Sequence, residues 1–348
     1  MPSLSPKLQR RLGLLVSVIA LAAVAWWVSK QDAPEFPASL TGYLWLVAAL
    51  AVYSVALAAR GWRWHRIMRL AGIPHERADA YRLTLVGYMG NNVLPVRGGE
   101  LLRIGILGQR TTAKRRTILG SIVAERILDA AVLAALFALL TWAGVAHAPA
   151  GQLPATIAAG ALVLLGLALA IYLALRRRGR FQAFHERTAP VTRALKIFAH
   201  AEGLFLATLS VAVWCCEGAT LLLVGHALGL SLHFLDTTLI IVLASLFAAI
   251  PAAPGYAGTF DAGLVLGLSA VGVTGGTAVG FILLARFVMF VPVTVVGLGI
   301  LLHSYGGFGQ RGLVDEAEGE AERDCRPRKT PSNAVPDEAH PGAVSARG

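Results

Sequence analysis

Long apolar runs separated by short basic clusters set the plan of this chain. The runs extend over Leu12–Val28, Gly42–Ala59, Thr117–Trp142, Pro154–Leu175, Leu204–Leu228 and Thr277–Leu302. Each reaches the ~17–25 residues that an α-helix needs to cross the hydrocarbon core of a bilayer. Six full spans are therefore predicted. The polar punctuation is lopsided. Arg60, Arg63, Arg66, Arg69 and Arg77 stand against one acid, Glu76. Arg110, Lys114, Arg115 and Arg116 form a second basic cluster, and Arg176, Arg177, Arg178 and Arg180 a third. Basic loops are held on the cytoplasmic side of a membrane. The pattern places the N-terminus and residues 60–77, 108–116 and 176–200 in the cytoplasm, and residues 29–41 and 143–153 outside. Within 60–77 the arginines recur three apart, which predicts a short amphipathic segment lying on anionic lipid.

Two further stretches are apolar but broken. The first, residues 79–107, is interrupted by Gly90, Pro95, Gly98 and Gly99, and both of its flanks are basic. A stretch with both ends on one side of the membrane has to re-enter or be two short half-spans. The second, residues 237–273, is interrupted by Pro251, Pro254, Gly255 and Gly258. Irregular backbone at membrane depth is tolerated only where protein or a wet cavity surrounds it, a situation common at transporter binding sites. Each broken hairpin precedes an ion-bearing span, which suggests an internal repeat. The predicted fold is all-α: a polytopic integral membrane helical bundle with two broken or re-entrant helical hairpins. Its transmembrane domain covers residues 1–302. Residues 303–348, charged and rich in Pro and Gly without apolar periodicity, read as a disordered cytoplasmic tail.

Composition sharpens this reading. Hydrophobic residues make up 56% of the 348, and charged residues 15%, against roughly 25% charged in a soluble domain. A formal charge of +11 would suggest nucleic acid in a soluble chain. Here the basic residues sit between apolar runs, so a nucleic-acid partner is not expected. The three cysteines, Cys215, Cys216 and Cys325, have no metal-ligand spacing. No phosphate-loop, HExxH or nicotinamide fingerprint is present. No metal or cofactor is expected.

The candidate chemistry lies in three clusters. The first comprises Asn91, Asn92, Pro95, Arg97, Gly98, Gly99, Glu100 and Arg103. Pro and Gly interrupt the helix and expose backbone groups, and the two arginines offer planar forks suited to phosphate. Glu100 lies three residues before Arg103, a spacing at which helical neighbours pair. The second cluster is Glu125, Arg126 and Asp129, with both carboxylates on one helix face. The third is Pro254, Gly255, Gly258 and Asp261, with Arg286 in the final span as a partner for Asp261. Ionisable groups at membrane depth are costly and normally face a protein interior or a wet path. These clusters read either as a headgroup site, with arginines for phosphate and carboxylates orienting them, or as an ion network locking a hairpin against a helix. Arg97 or Arg103 is expected to meet Glu125 or Asp129.

The run N91-N-V-L-P-V-R-G-G-E-L-L-R103 followed by E125-R-I-L-D129 resembles the lysylphosphatidylglycerol synthase transmembrane region family, also called flippase-like domain proteins. P251-A-A-P-G-Y-A-G-T-F-D261 and the A285-R286 pair before Pro292 match the same pattern, so the resemblance covers residues 10–302. It implies a bacterial inner-membrane protein that moves a lipid between leaflets. It also implies membrane lipids as partners, together with lipid or glycan biosynthetic enzymes. In the synthase this region translocates aminoacylated phosphatidylglycerol made by a separate soluble domain. This chain leaves no length for such a domain, so translocation rather than synthesis is expected. Stand-alone relatives include proteins associated with hopanoid biosynthesis and with polysaccharide or glycolipid export. Two departures, Tyr256-Ala257 at the turn and Asp261 where the family usually has Glu, leave the class intact and open the identity of the headgroup. An accessory protein of lipid or glycan synthesis is the first alternative to transport. A membrane-embedded headgroup transferase is the second, and it needs a nucleophile or base that only Glu100, Glu125 or Asp129 supplies. An enzyme is not the favoured reading.

Overall fold

The computed structural model describes residues 18–19, 21–94, 98–145, 201–250 and 253–306. The expected span at 154–175, the basic segment at 176–200 and the tail beyond residue 306 lie outside the described residues, as do Pro95 and Arg97. Residues 21–28 are helical. After them come α1 (Leu40–Leu70), α2 (Arg77–Val93), α3 (Gly98–Arg110) and α4 (Arg115–Trp142). The second part contains α5 (Ala201–Ala227), α6 (Phe234–Ala248), a 3₁₀ turn (Pro254–Tyr256), α7 (Thr259–Ala270) and α8 (Gly275–Tyr305). The protein is an all-α, multi-pass membrane bundle. Leu40–Leu70, Glu202–Ala227 and Gly275–Tyr305 are each long and apolar enough to cross a bilayer. The α4 helix is comparably long at 28 residues, with Glu125, Arg126 and Asp129 in its middle.

The helix ends sort into two opposite poles. At one pole Arg66 of α1 meets Glu202 of α5 at 2.7 Å, and Tyr305 of α8 donates to Asp79 of α2 at 3.1 Å. Arg110, ending α3, lies 3.5 Å from the same Asp79. Both ends of the α2–α3 pair are therefore at this basic pole, and the pair is a re-entrant hairpin. At the other pole the segment after residue 30 seats on the start of α8, where Gly275 donates its N–H to Gln31 at 2.9 Å. Gly42, near the start of α1, is packed against the end of α5 at Ala227. The α6–α7 pair opens toward this second pole and is the second hairpin.

Small residues let the hairpin arms close. A Cβ on Gly99 would stand 1.9 Å from the carbonyl oxygen of Gly87, and one on Gly263 would stand 2.5 Å from the Cα of Ala244. Lipid supplies no hydrophobic drive between helices, so such backbone-to-backbone packing and interhelical hydrogen bonds carry the association. The tips also hold themselves. Asn91 Oδ1 accepts the Gly99 N–H at 3.1 Å, and Asp261 Oδ2 accepts the Gly258 N–H at 2.9 Å. Each satisfies an orphan donor at the start of the returning helix. Gly258 has φ 86°, the left-handed conformation that a Cβ disfavours.

The two tips meet inside the bundle. Arg286 donates from Nη1 to the Gly255 carbonyl at 3.2 Å, and Asn92 Nδ2 donates to Thr294 Oγ1 of α8 at 2.8 Å. Gly255 is packed against the backbone of Asn92. The order span, hairpin, span thus occurs twice with opposite sense, and the register matches. Glu100 and Asp261 are each the third residue of the returning helix, and Arg126 and Arg286 are each the twelfth residue of the helix that follows.

The charge pattern predicts that the second span ends at Ala59 and that residues 60–77 lie on the membrane surface. The helix instead continues unbroken to Leu70, with Arg60 and Arg63 inside the bundle. Carboxylates from other helices compensate them there, a circumstance that the local density of arginine does not reveal.

Candidate functional site

A central ion chain runs from the first hairpin into the bundle. The α2–α3 hairpin carries Glu100 and Arg103; α4 carries Glu125, Arg126 and Asp129; α1 supplies Arg63. Arg63 is 0% exposed and donates from Nη1 to Asp129 at 2.6 Å and from Nη2 to Glu125 at 3.2 Å. Arg103 donates to the other oxygen of Glu125 at 2.9 Å. Arg126 donates from Nε to Glu100 at 2.9 Å and lies 3.6 Å from Asp129. The result alternates in sign: Glu100, Arg126, Asp129, Arg63, Glu125, Arg103. Adjacent groups trim this chain. Ser210 of α5 accepts from Arg63 at 2.7 Å, and the Arg103 guanidinium lies 3.8 Å from the centroid of the Trp64 ring.

Glu100 does not pair with Arg103, its neighbour three residues on. It reaches across to Arg126, and Arg103 turns inward to Glu125. The deeper position of Arg103 explains the choice. A buried guanidinium has no water to fall back on and takes the buried carboxylate, while Glu100 and Arg126 keep 23% and 32% side-chain exposure.

A second, separate pair lies beside the chain. Arg60 of α1 donates to Glu217 of α5, both side chains being about 95% buried. The Arg60 guanidinium also sits 5.0 Å from the ring centroid of Trp214 and 5.5 Å from that of Tyr88. The third pair closes the second tip: Arg286 holds Asp261 through Nε and through Nη2, the latter at 2.8 Å.

These groups border a cavity of about 350 Å³. Its polar wall is Arg60, Asn92, Arg126, Asp129, Glu217 and Ser245; its apolar wall includes Leu133, Trp214, Ile241, Phe260, Met289 and Phe290. Tyr53, Tyr88 and Tyr256 border it as well. The mixture suits a molecule with a polar head and an apolar body. Arg60 Nε and Trp214 Nε1 are buried donors with no hydrogen-bond partner. Arg63 Nε and Arg103 Nε, away from the cavity, are unpaired as well, and each such donor costs roughly 1–3 kcal/mol. Among the described residues no group of His, Cys, Asp and Glu is arranged to hold a metal ion.

Of the residues singled out in the sequence, Asn92, Arg126 and Asp129 line the cavity directly. Asn91, Gly99, Glu100, Arg103 and Glu125 form the shell behind them. Pro254, Gly255, Gly258, Asp261 and Arg286 build the opposing tip. Sequence reasoning misses Arg60, Arg63, Tyr88, Trp214 and Glu217. One signal for them is present: Glu217 is a lone acid in an otherwise uncharged span, and such a residue requires a buried cation from elsewhere.

Residues 12–297 match the family described as Lysylphosphatidylglycerol synthase TM region. That range takes in both hairpins and every ion pair of the central chain and the two tips. A UPF0104 membrane protein of Methanothermobacter thermautotrophicus is 23% identical over 332 residues, covering 87% of this chain and 97% of that protein. Glycosyltransferase AglD of Haloferax volcanii is 26% identical over 135 residues, covering 38% of this chain and 22% of that protein.

Proposed function

The chain belongs to the lysylphosphatidylglycerol synthase TM region family, and from that premise we propose that it is a lipid transporter of the flippase type. It moves a lipid with a polar or anionic headgroup between leaflets of the bacterial inner membrane. The observation that carries this reading is the cavity between the two hairpin tips, where buried ion pairs and aromatic rings share one wall with aliphatic side chains. A headgroup occupies the polar side, and the acyl or isoprenoid chain stays against the apolar side. The basic pole, with Arg66, Arg69, Arg77 and Arg110, faces the cytoplasm, which puts the N-terminus there too. The two hairpins enter from opposite faces, the arrangement in which transporters hold a substrate at the junction of inverted repeats. Arg97, next to the first tip in sequence, is a further candidate for the phosphate.

The test is translocation in reconstituted vesicles with fluorescent phosphatidylglycerol, a polyprenyl phosphate and a hopanoid as separate probes. Ala130 borders the cavity and is exposed, so Ala130→Trp fills the opening without removing an ion-paired residue. Wild type accelerates at least one probe, and the Trp variant returns it to the protein-free rate while melting as wild type does. Equal rates for wild type, variant and empty vesicles would remove the transport reading.

The likeness to a glycosyltransferase favours a second reading, in which the bundle serves lipid or glycan synthesis as a membrane partner of a biosynthetic enzyme. Capture of such an enzyme by a chain that moves no lipid supports that reading.

A further inference from the structure

We infer that headgroup passage through the cavity is coupled to a proton, with Glu217 as its carrier and Arg60 as the group that the headgroup takes from it. The inference rests on the transport reading and adds to it a driving force.

The ion pairs are not equivalent. Asp129 holds both Arg63 and Arg126, and Glu125 holds both Arg63 and Arg103. A proton on either carboxylate breaks two ion pairs at once. Glu100 and Arg126 are partly exposed and are compensated by water. Asp261 also caps the Gly258 N–H, and its partner Arg286 is a quarter exposed. Glu217 holds Arg60 alone, on the cavity wall, and both are buried. Among the described residues it is the interior carboxylate whose only tie is to a single fully buried cation.

The unpaired buried side-chain atoms on the cavity wall, Arg60 Nε and Trp214 Nε1, are both donors, and no buried carboxylate oxygen among the described residues is without a partner. Fully buried, unpaired donors on the wall fit an acceptor-rich anion better than an ammonium group. Neither nitrogen is open to water in this state, so an anion reaches them only as Arg60 shifts away from Glu217.

Charge balance then dictates the exchange. The central chain contains three arginines and three carboxylates, and Arg60 with Glu217 is also neutral. A phosphate monoanion entering this neutral interior leaves one uncompensated negative charge, which is expensive at membrane depth. A proton on Glu217 removes it. The Arg60–carboxylate ion pair breaks, an Arg60–phosphate ion pair forms, and Glu217 becomes a neutral acid that has taken its proton from water on the side of entry. Release on the far side reverses each step. The groups around Glu217 fit this exchange. α1 presents Arg60, Arg63 and Tyr53, α4 presents Asp129, and α2 presents Tyr88. Cys216 adjoins it on its own helix, α6 offers Thr238 against the neighbouring Gly218, and the α8 cation Arg286 is held by Asp261.

The probe is phosphatidylglycerol. Short-chain phosphatidylglycerol is added to the detergent-solubilised full chain in weak buffer, and proton uptake is read with a pH dye. Wild type takes up one proton per bound lipid; Glu217→Gln binds the lipid and takes up none. Infrared difference spectra of the wild type alone gain a protonated-carboxyl band on lipid addition, so the inference stays testable if the variant does not fold. In phosphatidylcholine vesicles doped with fluorescent phosphatidylglycerol, a proton gradient accelerates wild-type translocation and does not accelerate Glu217→Gln. Wild-type binding without proton uptake or a carboxyl band overturns the coupling, as does wild-type translocation indifferent to the gradient; the transport reading survives both. Absence of any binding and any translocation removes both.

Discussion

Replacing Glu125 with Ala strands two buried guanidinium groups at once. Glu125 is 1% exposed and accepts from Arg63 at 3.2 Å and from Arg103 at 2.9 Å. Arg63 keeps Asp129 and Ser210, but Arg103 keeps only its stacking on Trp64. Breaking a buried pair by removing one partner costs about 3–5 kcal/mol, because the other charge is left uncompensated. With Arg103 losing its only carboxylate, the upper half of that range is expected. Arg126→Ala provides the contrast. Its link to Glu100 has the same 2.9 Å length, but both groups reach solvent, and a screened pair contributes about 0–1 kcal/mol; Asp129, which lies 3.6 Å from Arg126, keeps its closer partner Arg63 at 2.6 Å. Geometry alone would rank the two equal; burial separates them by several kcal/mol. Equilibrium unfolding in mixed micelles, followed by tryptophan fluorescence, measures both, and Trp64 reports on the Arg103 locus directly. Glu125→Gln retains the shape and one acceptor and falls between them. A Glu125→Ala variant no less stable than Arg126→Ala would refute the claim that burial governs this network.

The same geometry sets three other expectations. Gly99→Ala drives a methyl into the Gly87 carbonyl and is expected to lower stability by about 1–3 kcal/mol, read as a fall in melting temperature. Arg97→Lys keeps the charge and loses the planar fork; lipid translocation in vesicles is expected to fall with no change in melting. A cysteine placed at Thr112 in a background without native cysteines is expected to react only from the cytoplasmic face, and one at Ser231 only from the opposite face. Labelling of both from the same side would contradict the two-pole arrangement.

The hairpins are legible in the sequence because their signal is local. Proline and glycine within a few residues interrupt an apolar run, and basic residues on both flanks of the first one say that it turns back. Asp261 with Arg286 is legible for a related reason, as the only acid in the second hairpin's returning arm and the only base in the next span. Arg60 and Arg63 are not legible. The charge rule sees an arginine and cannot distinguish one at a loop from one whose carboxylate lies on a distant helix; the partner of Arg60 is 157 residues away. The Glu100–Arg103 expectation fails for the complementary reason. A spacing of three permits contact on an isolated helix, and in the bundle the deeper guanidinium is taken by a deeper acid.

The matched registers of Glu100 with Arg126 and of Asp261 with Arg286 bear on how the protein enters the membrane. Two halves built to one plan and inserted in opposite senses carry no intrinsic preference for which way up each one goes. Their loops alone can break that tie. The junctions of the first half hold Arg69 and Arg77 at one turn and Lys114, Arg115 and Arg116 at the other, whereas the corresponding residues 228–233 and 271–276 of the second half contain no lysine or arginine. Stripping cations from one copy and loading them on the other commits each to its own side of the bilayer during biogenesis. Grafting two or three arginines into residues 228–233 would therefore set the halves in competition for the same face, and would damage insertion without altering a single contact at the cavity.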